Sequence, residues 1–112
     1  SDNQELAWFT ISQEMMKNAN AGKKDIDGFS DFVRTIQGVE VALMVFENTN
    51  GTCRVNFRSK GKYIINTVAK SLGGGGHKFA AGAIKNGSLN DVLDDVLSET
   101  SSQLIKQDSN FS

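Results

Sequence analysis

Between Leu72 and Ala83 the chain reads Leu-Gly-Gly-Gly-Gly-His-Lys-Phe-Ala-Ala-Gly-Ala, and no other stretch constrains the fold as strongly. Glycine loses more backbone entropy on folding than any other residue, roughly 0.5–1 kcal/mol each relative to alanine, so four in succession cost about 2–4 kcal/mol. A domain of this size holds only about 5–15 kcal/mol in all. A fold that retains Gly73, Gly74, Gly75 and Gly76 together therefore requires bare backbone there.

The sequence on either side says where this loop stands. Upstream, Ile64, Val68 and Leu72 recur at i, i+4 and i+8 with Ile65 and Ala69 beside them, which predicts a helix over Gly61–Leu72. Gly73 then falls where a left-handed C-cap is expected, which accounts for one glycine of the four. Downstream, Lys78-Phe79-Ala80-Ala81 reads as one tight turn stopped by Gly82, followed by a short strand over Ala83–Lys85. Asn86-Gly87 turns the chain, Ser88 and Asp91 resemble a capping box, and Leu89, Val92, Leu93, Val96, Leu97 and Leu104 trace a long helix to about Lys106.

Towards the N-terminus, Leu6–Ile11 is aromatic and β-branched and reads as a strand. Ser12 caps an expected short helix over Gln13–Asn18, and Phe29, Phe32, Val33 and Ile36 mark a second over Gly28–Gln37. Val39–Glu47 is almost continuously apolar, as expected of a strand covered on both faces, and Asn50-Gly51 signals a tight hairpin. The returning strand, Thr52–Ser59, alternates: Cys53, Val55 and Phe57 face one way, Arg54, Asn56 and Arg58 the other. The expected architecture is α/β, a single domain with a small mixed β-sheet flanked by helices over residues 6–106, with residues 1–5 disordered or linker and 107–112 a frayed tail.

Glycine runs let consecutive backbone N–H groups converge on an anion. The known phosphate loops fail here. A Gly-x-Gly-x-x-Gly pattern begun at Gly73 or Gly74 would need glycine at Lys78 or Phe79, and neither Gly22-Lys23 nor Gly61-Lys62 is followed by Ser or Thr. What remains is a short nest at Gly74, Gly75 and Gly76, an imidazole at His77, an ammonium at Lys78, and the guanidinium of Arg58 with the neighbouring Ser59, a set suited to a phosphorylated ligand. Without a ligand the same residues read as a flexible linker ending in a solvated histidine, and Arg58 or Lys78 alone as solvated surface charge.

Composition narrows the alternatives. With a formal net charge of −1 the chain has no broad cationic field for long nucleic acid, so phosphate binding has to come from a local site. The lone Cys53 cannot form an internal disulfide or a cysteine-type zinc site, which favours a reducing, cytoplasmic setting. Val41–Phe46, the longest apolar run, is far too short to span a membrane. The polar start Ser1-Asp2-Asn3-Gln4-Glu5, without an initiating Met, suggests a piece of a longer protein.

Asn56-Phe57-Arg58-Ser59, a helix, and Gly73-Gly74-Gly75-Gly76-His77-Lys78-Phe79-Ala80-Ala81-Gly82-Ala83 together resemble the DHH-associated C-terminal domain of DHH-family phosphoesterases. The likeness is to the branch of NrnA-type oligoribonucleases and nucleoside-bisphosphate phosphatases, strongest over Val55–Ala83. It implies that Arg58, Ser59, Gly74, Gly75, Gly76, His77 and Lys78 contact the phosphates and terminal nucleotide of a substrate, either short RNA or a phosphorylated nucleotide such as 3′-phosphoadenosine 5′-phosphate. It further implies an N-terminal DHH catalytic domain, absent from this chain, that holds manganese. With a single histidine and no Asp-His-His, the chain itself is expected to carry no catalytic residue and no metal site. A cyclic-dinucleotide phosphodiesterase, an exopolyphosphatase-like protein and a non-enzymatic interaction domain stay open as alternatives.

Overall fold

A computed structural model of the chain describes residues 5–14 and 38–111. Three adjoining segments form one side of a five-stranded mixed sheet, from its edge strand inward. They are β1 (Leu6–Ile11), β2 (Val41–Glu47) and β3 (Thr52–Ser59). β2 and β3 make the expected antiparallel hairpin, its turn carried by Gly51 at φ +79°. β1 lies parallel to β2, with Leu6 opposite Val41 and Ile11 opposite Phe46. A parallel pair needs a crossover connection. The helices expected over Gly28–Gln37 and over most of Gln13–Asn18 fall outside the described residues; Gln13 and Glu14 are helical.

The remaining elements are α1 (Asn66–Ser71), β4 (Gly75–His77), β5 (Ala80–Asn86) and α2 (Leu89–Phe111). β5 pairs antiparallel with β3 and β4 pairs antiparallel with β5, so the sheet runs β1-β2-β3-β5-β4. Both helices contribute to the core on one face. Val41, Leu43, Val45, Cys53, Val55, Phe57, Ala81 and Ala83 share a buried cluster with Val68 and Ala69 of α1 and Val92, Val96 and Leu104 of α2. On the other face Met44 and Phe46 pack with Phe9 and Ile11, which is why β2 is buried on both sides as its apolar sequence requires. Ser88 caps α2, its Oγ accepting from the Asp91 N–H at 3.2 Å.

Four boundaries differ from expectation, each for a local reason. α1 starts only at Asn66, because the preceding backbone is engaged elsewhere. Ser59 Oγ accepts from Gly61 N at 3.1 Å and donates to Tyr63 O at 2.7 Å, Ile65 N donates to Lys78 O at 2.8 Å, and the Gln107 carboxamide takes both backbone groups of Ile64. Gln107 and Asp108 are thereby tied to the domain, and α2 runs on to Phe111 where a frayed tail was expected. Ala80–Gly82, read as a turn, belongs to β5, and Gly75–His77, read as loop, forms an edge strand.

Glu5 is not loose linker. Its carboxylate meets Lys62 Nζ at 2.6 Å and accepts from the hydroxyl of the fully buried Tyr63, which also donates to Asp108 Oδ1 at 2.7 Å. The Lys62 ammonium first, and the Tyr63 hydroxyl second, hold the Glu5 carboxyl below its ordinary value of 4.5, while burial and the two carboxylates push the Tyr63 phenol upward. A lowered carboxyl stabilises the fold fully above its unfolded pKa, and that contribution is lost as pH falls through the folded value. Urea midpoints should therefore drop from pH 6 to pH 3, and Glu5→Gln should remove part of that drop; an unchanged pH profile in the variant would exclude the linkage. Lys62 is exposed enough for salt to weaken the pair.

Candidate functional site

The second face of the sheet, away from α1 and α2, carries an open cleft of about 600 Å³ over β3, β5 and β4. Its lining comes from Arg54, Asn56 and Arg58 on β3, Ala80–Ile84 on β5 and the four consecutive glycines from Gly73 to Gly76. Strand register explains the selection. Residues directly opposite one another in an antiparallel pair share a face. Arg58, Ala80 and His77 form one cross-strand row, Asn56, Gly82 and Gly75 the next, and Arg54 faces Ile84. The cleft floor is therefore cationic on β3 and almost without side chains on β5 and β4.

Each glycine of the run has its own reason. Gly73 takes φ +92° after α1, its N–H bonding Lys70 O at 3.0 Å while the Gly74 N–H bonds Ala69 O at 2.8 Å, the paired bonds of a Schellman cap. Gly74 has ordinary φ but no room: a Cβ there would lie 2.0 Å from Gly82 O and 2.6 Å from Ala83 Cα. Gly76 combines φ +143° with a Cβ position 2.6 Å from Ala81 Cα. Gly75 alone meets neither restriction, since its φ is unremarkable and a Cβ would enter open space. Three of the four are thus required by the fold, and only Gly75 is left for a ligand to explain.

The residues expected to bind substrate are distributed unevenly. Arg58, half-buried, lines the cleft and donates from Nη1 to Phe57 O at 3.0 Å. Gly74, Gly75 and Gly76 line it too, although the Gly74 N–H is committed to the cap of α1. β4 pairs on one side only, which leaves alternate N–H groups of Gly75–His77 directed away from the sheet. His77 and Lys78 are exposed and stand outside the lining; the Lys78-Phe79 turn is anchored by Ser59 N on Phe79 O and Ile65 N on Lys78 O. Ser59 is buried with its hydroxyl engaged by Gly61 and Tyr63, so the structure does not bring it to the cleft. The β3 alternation foretold this, because Ser59 shares parity with Cys53, Val55 and Phe57.

The same alternation places two further residues in the cleft, Arg54 and Asn56. Arg54 Nε donates to Asn56 Oδ1 at 3.2 Å, and among the described residues no carboxylate pairs with Arg54 or Arg58. Two guanidiniums over a bare floor make a local cationic surface on a chain of nearly neutral charge. Among the described residues no three potential metal ligands gather. No described helix is long and apolar enough to cross a membrane.

The DHHA1 domain family matches residues 8–106. The chain belongs to that family. Of its curated relatives, the bifunctional oligoribonuclease and PAP phosphatase NrnA of Thermus thermophilus is 30% identical over 97 residues, covering 86% of this chain and 29% of that protein. A probable NrnA of Streptococcus mutans is 34% identical over 82 residues, covering 73% of this chain and 26% of that protein. The chain thus spans less than a third of the length of either relative. In fold, this DHHA1 domain superposes on an exopolyphosphatase-related protein from Bacteroides fragilis with a TM-score of 0.76 at 23% identity, over 95% of this chain and 30% of that one.

Proposed function

We propose that this DHHA1 domain is the substrate-binding part of a phosphoesterase acting on short oligoribonucleotides or on 3′-phosphoadenosine 5′-phosphate. The ligand lies across the cleft floor from Arg58 to the rim of the edge strand β4, one phosphate held bidentately by the guanidinium and a second oxygen met at the rim by the outward N–H groups of the Gly75–His77 segment. His77 and Lys78, exposed at the end of β4, close on the terminal nucleotide. Bond cleavage would belong to a DHH domain elsewhere in the polypeptide, whose manganese would supply Lewis-acid activation of water; this domain binds and orients, and by itself does not hydrolyse. The setting is the cytoplasm. The observation that carries the reading is the pairing of an arginine-lined strand with a floor of glycine and alanine, bordered by Ile84, on the face of the sheet not taken up by α1 and α2.

Titration of the chain with adenosine 3′,5′-bisphosphate, followed through the amide resonances of Gly74, Gly75 and Gly76, tests it. Saturable shifts are expected, and Arg58→Ala should weaken binding by about 1.5–3 kcal/mol, the worth of a charge-assisted contact. Silent glycine resonances at millimolar ligand, or unchanged affinity in the variant, would remove the proposal.

A further inference from the structure

Asn56 stands in the middle of the cleft with one hydrogen-bonding group unused. Its Oδ1 accepts from Arg54 Nε, which settles the orientation of the carboxamide and leaves Nδ2 as the remaining end. The residue is only 4% exposed, and Nδ2 has no partner among the described residues. Buried donors without an acceptor are rare in folded proteins. The other such atom among the described residues, Thr100 Oγ1, lies on α2 and not in the cleft.

The surroundings favour a ligand as the missing acceptor. Asn56 shares its cross-strand row with Met44 on one side and Gly82 and Gly75 on the other, so among the described residues it is the polar side chain of that row. A Cβ at Gly82 would lie 3.1 Å from Val55 O and 3.5 Å from Asn56 Oδ1, so the glycine leaves the Oδ1 end of the carboxamide uncrowded and free to keep its bond from Arg54. Arg54 and Arg58 flank it on the same strand face. An anionic oxygen is the acceptor that two guanidiniums and an amide N–H favour together. Nδ2 is closed to water, so an acceptor reaches it with a local side-chain rearrangement: Arg58, whose Nη1 is tied to the backbone carbonyl of Phe57 by a single bond, turns onto the anion while Arg54 Nε keeps its bond to Oδ1.

We infer that Asn56 donates its Nδ2 hydrogen to a phosphoryl oxygen of the bound ligand, with Arg54 as the positioning residue that holds the carboxamide in its donating orientation. The inference rests on the phosphate-binding reading of the cleft and adds to it a neutral donor between the two cations. Phosphoryl oxygens come from nucleotides and from inorganic phosphates alike, and the donor does not distinguish them.

The test uses side-chain amide spectra of this chain, with the Asn56 NH2 pair identified by its absence in Asn56→Ser and Asn56→Asp. Titration with adenosine 3′,5′-bisphosphate, and separately with inorganic pyrophosphate, should move one proton of that pair downfield and slow its exchange in both cases. Arg54→Ala should broaden the pair and weaken binding about tenfold, and Arg54→Lys, which can still reach Oδ1, should restore much of both. Shifts at Gly75 and Gly76 with an unmoved Asn56 pair would overturn the inference while leaving the phosphate reading intact. A shift with the nucleotide but not with pyrophosphate would move the acceptor to the nucleoside and overturn the phosphoryl assignment. If neither the glycines nor Asn56 respond to either probe, the phosphate reading itself fails.

Discussion

Gly74→Ala is expected to cost about 3 kcal/mol or more of folding stability, at the upper end of what overpacking usually costs. The added methyl carbon would lie 2.0 Å from Gly82 O and 2.6 Å from Ala83 Cα, and both neighbours are backbone that no rotamer change can move. Relief requires β4 to separate from β5, or the α1 cap to give up the Gly74-to-Ala69 bond. Against a total of about 5–15 kcal/mol the loss is large. Gly75→Ala, one position on, should be neutral or stabilise by about 0.4–1 kcal/mol, because the substitution removes unfolded-state freedom without meeting anything in the fold. Urea denaturation of the two variants side by side decides the matter. Equal losses would show that the glycines act as an undifferentiated flexible run.

The second large effect is on binding. Gly75→Val should keep the fold and abolish saturable nucleotide binding, a loss well beyond tenfold, or about 1.4 kcal/mol. Register puts the new side chain on the cleft face, in the row of Gly82 and Asn56, over the floor where the phosphate is proposed to rest. Valine suits a strand, and no atom within 4 Å opposes its Cβ. Calorimetric titration with adenosine 3′,5′-bisphosphate, beside a thermal melt of the same sample, separates the two quantities. Intact affinity with an intact melt would mean that the ligand does not approach β4. Gly74 and Gly75 thus divide the loop into a position that the fold needs and one that the proposed ligand needs.

What the sequence disclosed of this site follows from the range of the interactions involved. The Gly73 cap was legible because it depends only on the helical stripe just before it and on glycine's tolerance of positive φ. The cationic face of β3 was legible because strand alternation is local. Gly74 and Gly76 were not, since their need for bare backbone comes from β5, and Ala80-Ala81-Gly82 gave no sign of a strand: small residues there satisfy close packing against β3 and β4, not intrinsic β preference. Ser59 adjoins Arg58 in the sequence and the family resemblance implies it as a contact, yet strand parity sets it on the core side. Asn56 lay in plain view on the polar face, but an unmatched donor exists only once its neighbours are placed, and the Arg54 contact that orients it is a matter of rotamers. The shortening of α1 likewise depended on a distant partner, Gln107, forty-three residues beyond Ile64.

The edge of the sheet has a bearing on how such a domain behaves when crowded with copies of itself. An exposed strand with unpaired N–H and C=O groups is a template on which another chain can add, and proteins usually blunt it with short length, charge or a bulge. Here β4 is three residues long, two of them glycine, and it passes at once into the exposed Lys78. A strand from a neighbour would find too few bonds to hold and no apolar side chain to grip. Backbone amides can therefore stand open to small anions on a surface that remains a poor seed for aggregation.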